Sequence, residues 1–276
     1  MASPFAALAT RSAVAAMNEP PRRVVSLVPS TTESICELGA ASRLVGRTHY
    51  CTEPAHHVVH VPPLGGTKNP NIEKILAVEP DLIVGNAEEN RQEDLEFLAA
   101  RVPTLVQTPR SVFEAGKLLG ELAQRLGLDG AAKPWQARID EQVREAATAA
   151  DTRAPLRVYY AIWRKPWMTV NADTFIHDVL ELCGAQCVGA GEATRYPAME
   201  PADAVDRRVD VVLLASEPWE FDASQREEVA STRCFGDAVI RLCDGRDFCW
   251  HGVRMAEGLG RARAALQPRS ARSRPR

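Results

Sequence analysis

Short unbroken apolar runs alternate with amphipathic stretches along most of this chain. The segment GGTKNPNIEKILAVEPDLIVGNAEEN (65–90) shows the pattern most plainly. A glycine turn leads into a short helix over 71–78, a break at Glu79-Pro80, an apolar run over 81–84 and a polar loop. Asn69 or Asn71 is placed to cap the helix, with Pro70 in a first-turn position. The apolar run leaves no room for in–out alternation, so both of its faces must be covered, as in a parallel α/β sheet. Lys68, Glu88, Glu89, Asn90 and Arg91 then fall on loops at strand ends, where open α/β sheets place ligands.

The rest of the chain follows the same grammar. VVSLVPS (24–30) reads as a strand, with Ser30 or Thr31 capping the helix TTESICELGA, which stops at Gly39. LVGRTHYC (44–51) is a second strand. A helix over 91–102, the strand PTLVQTP and an amphipathic helix over 111–127, capped by Ser111 and stopped by Gly127, complete a small parallel sheet with its helices. A long charged helix over 131–154 follows. Trp135, Ile139 and Val143 give it a narrow apolar stripe, which suits a helix bridging two lobes. The second half restarts with the strand LRVYYAIW (156–163), the loop RKPWMTVNAD and a helix over 173–184 capped by Asp173. ADAVDRRVDVVLLAS (202–216) then repeats the helix–break–strand pattern of IEKILAVEPDLIVGN (72–86). A strand near AVIRLCDG, a loop with DFCWHG and a helix over 252–266 close the pattern.

The fold class is therefore α/β: two Rossmann-like lobes with parallel sheets, joined by one long backbone helix. The boundaries read as a disordered or degenerate leader over 1–21, an N-terminal lobe over 22–129, the connecting helix over 130–153, a C-terminal lobe over 154–268 and a basic tail over 269–276. A cleft between lobes is the natural ligand site.

Composition narrows the function. Of 276 residues, 45% are hydrophobic and 25% charged, as in ordinary globular proteins. The net charge of −3 supplies no general attraction to nucleic acid or to anionic membranes. No stretch approaches the roughly 20 apolar residues of a membrane span. The first 21 residues lack a basic start, and Arg11 and Ser12 split their apolar stretch, so they form no clear signal peptide. Seven cysteines without a C-x-x-C read as buried thiols rather than a zinc site.

The aromatic residues are unevenly placed. Trp163, Trp167, Trp219 and Trp250 fall at or just past strand ends, and Tyr50 and Tyr196 hold similar loop positions. Together they suit a cleft lined by flat rings, fit for a large planar ligand such as a macrocycle or an aromatic chelate. Arg47, Lys68, Arg164, Lys165, Arg195 and Arg254 are interleaved with them, and guanidinium groups bind carboxylates or phosphates in two-pronged fashion. His49 and His251 sit beside Tyr50 and Trp250 and are read as hydrogen-bond donors to a ligand. His177 is read as a packed core histidine. The HHVVH run (56–60) lacks acidic partners at ligand spacing, so no metal site is assigned. G-x-S-x-G, P-loop and G-x-G-x-x-G sequences are absent, so no catalytic residue is assigned either. Glu88-Glu89 with Asp222 is the one carboxylate grouping considered.

The blocks VVSLVPSTTESICELGAASRLVGRTHYCTEP, NIEKILAVEPDLIVG, DTFIHDVLELCGAQCV and VDVVLLASEPW resemble the substrate-binding proteins of metal-chelate ABC importers, of the vitamin B12/iron-siderophore, helical-backbone type. The resemblance covers about residues 22–268. GGTKNP, EEN, WRKPWMT and W-H-G look like a cobalamin-binding subgroup. It implies a class III periplasmic-binding-protein fold holding a chelated metal, most plainly a corrinoid, with a ferric siderophore or haem as alternatives. The ligand-binding positions it implies, with those read from the rim, are His49, Tyr50, Lys68, Glu89, Trp163, Arg164, Trp167, Tyr196, Trp219, Trp250 and His251. Family members also carry one glutamate on each lobe that docks on transporter arginines. The first matches Glu73. The second aligns near Ala202, where Glu200 and Asp203 are the available acids. A disulfide known in some vitamin B12 binders would involve Cys183, and the final helix offers it no partner.

The implied function is binding without catalysis. The implied partners are a small-molecule chelate and an ABC-transporter permease. The chain is expected to be a monomer without an intrinsic cofactor, and periplasmic if exported. A cytoplasmic homologue that buffers or hands on a cofactor is the alternative, and an enzyme acting on corrinoids is a third reading without a candidate catalytic group.

Overall fold

The structure, a computed structural model, describes residues 19–150 and 154–267. The expected leader, except residues 19–21, and the basic tail lie outside them, as does the end of the expected connecting helix.

Contacts divide the chain into two compact units. The first takes residues up to Pro109, Phe113–Gln136 and His251–Arg254. The second takes Arg110–Val112, Ala137–Trp250 and the residues from Met255 onward. The long helix, Lys133–Ala150, contains one of the division points.

The first unit is built on a parallel sheet of β1 (Val24–Ser26), β2 (Leu44–Arg47), β3 (Leu82–Gly85) and β4 (Thr104–Val106). The order across the sheet is β2-β1-β3-β4. Its helices are α1 (Pro29–Ile35), α2 (Ala55–Val58), α3 (Ile72–Ala77), α4 (Gln92–Ala99) and α5 (Val112–Arg125), the last beginning with a residue of the second unit. Val25, Leu27, Leu64, Ile75, Ile83, Leu95 and Leu98 form its core. Each such side chain contributes about 1.5–3 kcal/mol on leaving water.

The second unit follows α6 (Lys133–Ala150) with β5 (Leu156–Ala161), the hairpin strands β6 (Trp163–Arg164) and β7 (Trp167–Met168), α7 (Phe175–Leu182) and β8 (Ala185–Cys187). Then come α8 (Pro201–Asp206), β9 (Val211–Ala215), α9 (Ala223–Thr232), β10 (Val239–Cys243), α10 (Arg246–Cys249) and α11 (Met255–Leu266). Its parallel sheet runs β8-β5-β9-β10, the same connection pattern as in the first unit. Every residue of β3 and of β9 is buried, which is why neither run alternates.

The internal repeat extends to side chains. Asp81 opens β3, and its carboxylate accepts the backbone N–H groups of Arg22 (2.7 Å) and Arg23 (2.9 Å), while its own N–H donates to the Arg23 carbonyl (2.9 Å). Asp210, just before β9, accepts the Arg157 N–H (2.8 Å) and donates to the Arg157 carbonyl (2.8 Å). Two residues earlier, Glu79 (φ 44°) and Arg208 (φ 58°) both take the left-handed conformation. The Arg23 and Arg157 guanidinium groups cap the carbonyls of Val78 (2.6 Å) and Arg207 (2.6 Å) at the two helix ends. The offset is the same 129 positions from Glu79 to Arg208, from Asp81 to Asp210 and from the helix cap Asn71 to the helix cap Glu200.

Several local expectations change. α1 begins at Pro29 and has no side-chain cap, because Ser30 and Thr31 already lie in its first turn. Thr174, not Asp173, caps α7: its side chain accepts the His177 N–H (3.3 Å), leaving Asp173 for Arg110 (3.0 Å). The DFCWHG stretch is not all loop, since α10 occupies Arg246–Cys249 and a 3₁₀ turn, Gly252–Arg254, precedes α11. Asn71 caps α3 as expected, accepting the Lys74 N–H at 2.9 Å. No disulfide joins any of the seven cysteines.

Replacing Asp81 by Ala removes two backbone partners, and Asp210→Ala removes one. Urea titration should show losses of about 2 and about 1 kcal/mol respectively, in that order.

Candidate functional site

In a sheet of order 2-1-3-4 the chain leaves its first strand in one direction and its third in the other. The crevice at the C-terminal ends of those two strands is where such folds take ligands. In the first unit this is the gap past β1 and β3.

Asn90 fills that gap. It is buried, and its Nδ2 donates to the carbonyls of Leu27 (3.2 Å) and Thr67 (3.1 Å), while its Oδ1 accepts the Asn86 N–H (2.8 Å). One amide thus joins the loops after β1 and β3 to the GGTKNP turn. Lys68 on that turn donates to the Glu88 carbonyl at 2.6 Å, so the lysine also fastens the turn to the loop after β3. Gly65 (φ 110°) is required there: a Cβ would lie 2.7 Å from the Asn69 carbonyl oxygen. The His49 N–H donates to the Gly65 carbonyl (2.9 Å) and sets the approach of Tyr50. The Tyr50 ring stands over Gly66 and is 62% exposed. Glu89 lies half-buried on the loop after β3.

The same unit holds His251–Arg254 against α1. His251 Nε2 lies 3.2 Å from Ser30 Oγ, the Val253 N–H donates to Ser34 Oγ (3.2 Å), and Arg254 pairs with Glu33 at 3.0 Å. Gly252 (φ 85°) allows the approach, since a Cβ would come within 2.1 Å of Ser34 Oγ. His251 is 6% exposed, and burial pushes its pKa down to about 4. The ring is therefore neutral at pH 7 and turned to Ser30 rather than standing on an open rim.

In the second unit the corresponding crevice lies past β5 and β9. Trp163 follows β5, Trp219 follows β9, and their ring centroids are 4.8 Å apart at 73°. Trp163 is 37% exposed, whereas Trp219 is half-buried, and its Nε1 has no hydrogen-bond partner. Trp167 lies deeper, stacked on Phe221 (5.9 Å) and edge-on to Phe235 (5.3 Å). Arg164 lies 5.7 Å from the Trp167 ring and makes a two-pronged pair with Glu228 at 3.0 and 2.5 Å. Its charge is spent on Glu228. Tyr196 (38% exposed) stands on a separate segment, tied by the Asn171 N–H to the Arg195 carbonyl (2.9 Å). Trp250 is 6% exposed beside Arg246 and interacts with the buried carboxyl of Glu217.

Of the residues expected to face a ligand, the second unit thus gathers Trp163, Arg164, Trp167 and Trp219, and the first gathers His49, Tyr50, Lys68 and Glu89. Trp250 and His251 are buried, and Tyr196 stands on a segment of its own. Sequence reading missed Phe221, Phe235 and Glu228, which carry no local signal. It also read Asp222 as one of a carboxylate group. Asp222 caps α9 instead, accepting the Gln225 N–H at 2.7 Å, and the D-x-x-Q spacing is the signal for that role. Glu73 is exposed in the first turn of α3. Glu200 and Asp203 form the capping box of α8, with the Glu200 N–H donating to Asp203 Oδ2 at 3.2 Å. No group of three or more His, Cys, Asp or Glu able to hold a metal occurs among the described residues.

The chain matches the periplasmic binding protein family over residues 24–235. It belongs to that family. A vitamin B12-binding protein of Yersinia pestis (strain Pestoides F) is 29% identical over 208 residues, covering 72% of this chain and 71% of that protein. Among solved structures, the periplasmic vitamin B12-binding protein BtuF of Vibrio cholerae superposes with a TM-score of 0.75 at 19% identity, covering 90% of this chain and 97% of that one. A periplasmic haem-binding protein of Pseudomonas aeruginosa gives 0.77 at 22% identity, covering 91% and 94%. The fold is the class III periplasmic-binding-protein fold, and these relatives are named as proteins that bind vitamin B12 or haem. No described helix is long and apolar enough to cross a membrane.

The depressed His251 pKa has a sign. The neutral ring contributes stability that is complete above the unfolded value near 6.5 and is lost as pH falls toward about 4. Chemical denaturation from pH 7.5 to 4 should show this loss, on the order of 3 kcal/mol at most. His251→Gln, which keeps a polar partner for Ser30, should flatten the profile.

Proposed function

We propose that this chain is the substrate-binding protein of an ABC importer and that its ligand is a planar metal chelate of the corrinoid class. The observation that carries the reading is the Trp163–Trp219 pair at the crevice of the second sheet, with the Trp163 ring 37% exposed. A partly exposed flat ring held edge-on by a second indole suits a planar macrocycle. In the first unit, Tyr50 over the Asn90-braced loops offers a second exposed ring. The vitamin B12-binding relative favours a corrinoid. Haem is the second reading, because haem-binding proteins are as similar in fold.

The protein binds and releases its ligand without a catalytic step, working as a periplasmic component once exported. Glu73, exposed on α3, is the contact proposed for the permease. In the repeat its counterpart is Ala202, since both follow their helix cap by two positions. Glu200 and Asp203, joined in the capping box of α8, are the acids nearest to that position in the second unit.

Isothermal calorimetry against cyanocobalamin, cobinamide, haemin and a ferric siderophore tests the ligand. Corrinoids should bind, and Trp163→Ala should weaken that binding by about 1–3 kcal/mol. Haemin binding without corrinoid binding would replace the corrinoid reading with the haem one. No binding to any of the four ends both.

A further inference from the structure

β10 is an outer strand of the second sheet, and no strand among the described residues covers its far side. It pairs with β9 over five residues without a bulge. The Val239 N–H donates to the Asp210 carbonyl (2.9 Å), and the Cys243 carbonyl accepts the Ser216 N–H (3.1 Å). In a parallel ladder alternate residues bond to the same neighbour. Val239, Arg241 and Cys243 therefore turn their backbone groups to β9, while Ile240 and Leu242 turn theirs outward. Such an edge is a template for one more strand. The other outer strands, β2, β4 and β8, expose no large apolar side chain, whereas β10 exposes Val239 (49%) and Leu242 (39%).

A groove of about 620 Å³ follows this edge. Besides Val239–Leu242 of β10, it is lined by Ala223 and Arg226 of α9 and by Ala264, Ala265 and Gln267 at the end of α11. No carboxylate is among these described lining residues, and two of them are arginines. Arg241 Nη1 donates to the carbonyls of Ala265 (2.6 Å) and Gln267 (2.7 Å), which holds its charge beside the groove. Arg226 meets its neighbour Glu227 at 3.4 Å on exposed surface, a contact that stabilises little. Residues 268–276, which continue from Gln267, add four arginines and no acid. The edge is thus locally cationic on a chain whose net charge is −3.

We propose that the β10 edge takes an extended acidic segment of a partner protein as a fifth strand of the second sheet. Ile240 and Leu242 exchange backbone hydrogen bonds with the added strand, and its apolar side chains cover Val239 and Leu242. Its carboxylates meet Arg226, Arg241 and the arginines that follow Gln267. This surface is separate from the ligand crevice and does not depend on which chelate is bound. Two other occupants fit less well. A second copy, paired antiparallel through both outward residues, sets Arg241 opposite Arg241, and like charges directly opposite are destabilising. The chain's own residues 268–276 would bring four arginines to a groove already lined by two.

The test follows the fluorescein-labelled peptide EVEVVEVE by fluorescence polarisation with the full-length protein at low salt. KVKVVKVK is the charge control, and EVEVVEVE N-methylated at each valine is the backbone control. The acidic peptide should bind at least about 10-fold more tightly than either control. Arg226→Glu should weaken its binding by about 5-fold. Leu242→Pro removes an outward N–H and leaves the bonds to β9 in place, so it should abolish binding. Residue-resolved amide exchange should be fast at Ile240 and Leu242 in the free protein and slow once the peptide is added. No binding of EVEVVEVE, or binding equal to that of either control, overturns the proposal. That comparison stands even if Leu242→Pro does not fold. Slow exchange at Ile240 and Leu242 without peptide also overturns it, in favour of a second copy if the slowing grows with protein concentration and of the chain's own residues if it does not.

Discussion

Each sheet of this protein hangs on one carboxylate at the start of its third strand. Asp81 and Asp210 take the backbone N–H groups where the first strand of each unit begins, and their own N–H groups close the loop. The helix before each strand must therefore stop sharply, which it does through a left-handed residue, while an arginine at the start of the first strand caps the carbonyl just before it. Those non-glycine left-handed residues each cost on the order of 1–2 kcal/mol. The hydrogen bonds of the carboxylate and the guanidinium offset that cost. Fixing the two central strands at their N-terminal ends also fixes the crevice at their C-terminal ends, where the candidate ligand groups stand.

The two crevices are finished by different chemistry on the same frame. In the first, a buried amide and a lysine tie three loops together through backbone carbonyls and leave one tyrosine ring exposed. In the second, aromatic rings pack in tiers, from buried Phe235 and Phe221 through half-buried Trp167 and Trp219 to exposed Trp163. The inner tiers are core and hold the outer ring in position. A ligand that meets Trp163 therefore meets a ring whose orientation is already set, which lowers the entropy cost of binding.

Much of this was legible in the sequence, and the reason is local. LIVG and VVLLA are too short and too apolar to be anything but covered parallel strands, and the spacing of Asn71, Glu79 and Asp81 repeats in the second half. What depended on distant partners was not legible. Nothing near Arg164 announces Glu228, and nothing near Trp250 or His251 announces their burial against Glu217 and Ser30. Asp173 lost the cap of α7 to its neighbour Thr174 because Arg110 and Arg195 engage its carboxylate. In each case a long-range polar contact decided a position that propensity had left open.

Under the proposed corrinoid reading, the ligand meets the loops at the C-terminal ends of the central strands in each unit. Hydrogen–deuterium exchange of the full-length protein with and without saturating cyanocobalamin tests it most directly. Exchange should slow in the segments around His49–Tyr50, Gly65–Lys68, Trp163–Arg164 and Trp219, with the helices on the opposite ends of the sheets unchanged. Unchanged exchange in all four segments, or protection confined to other parts of the chain, would contradict it.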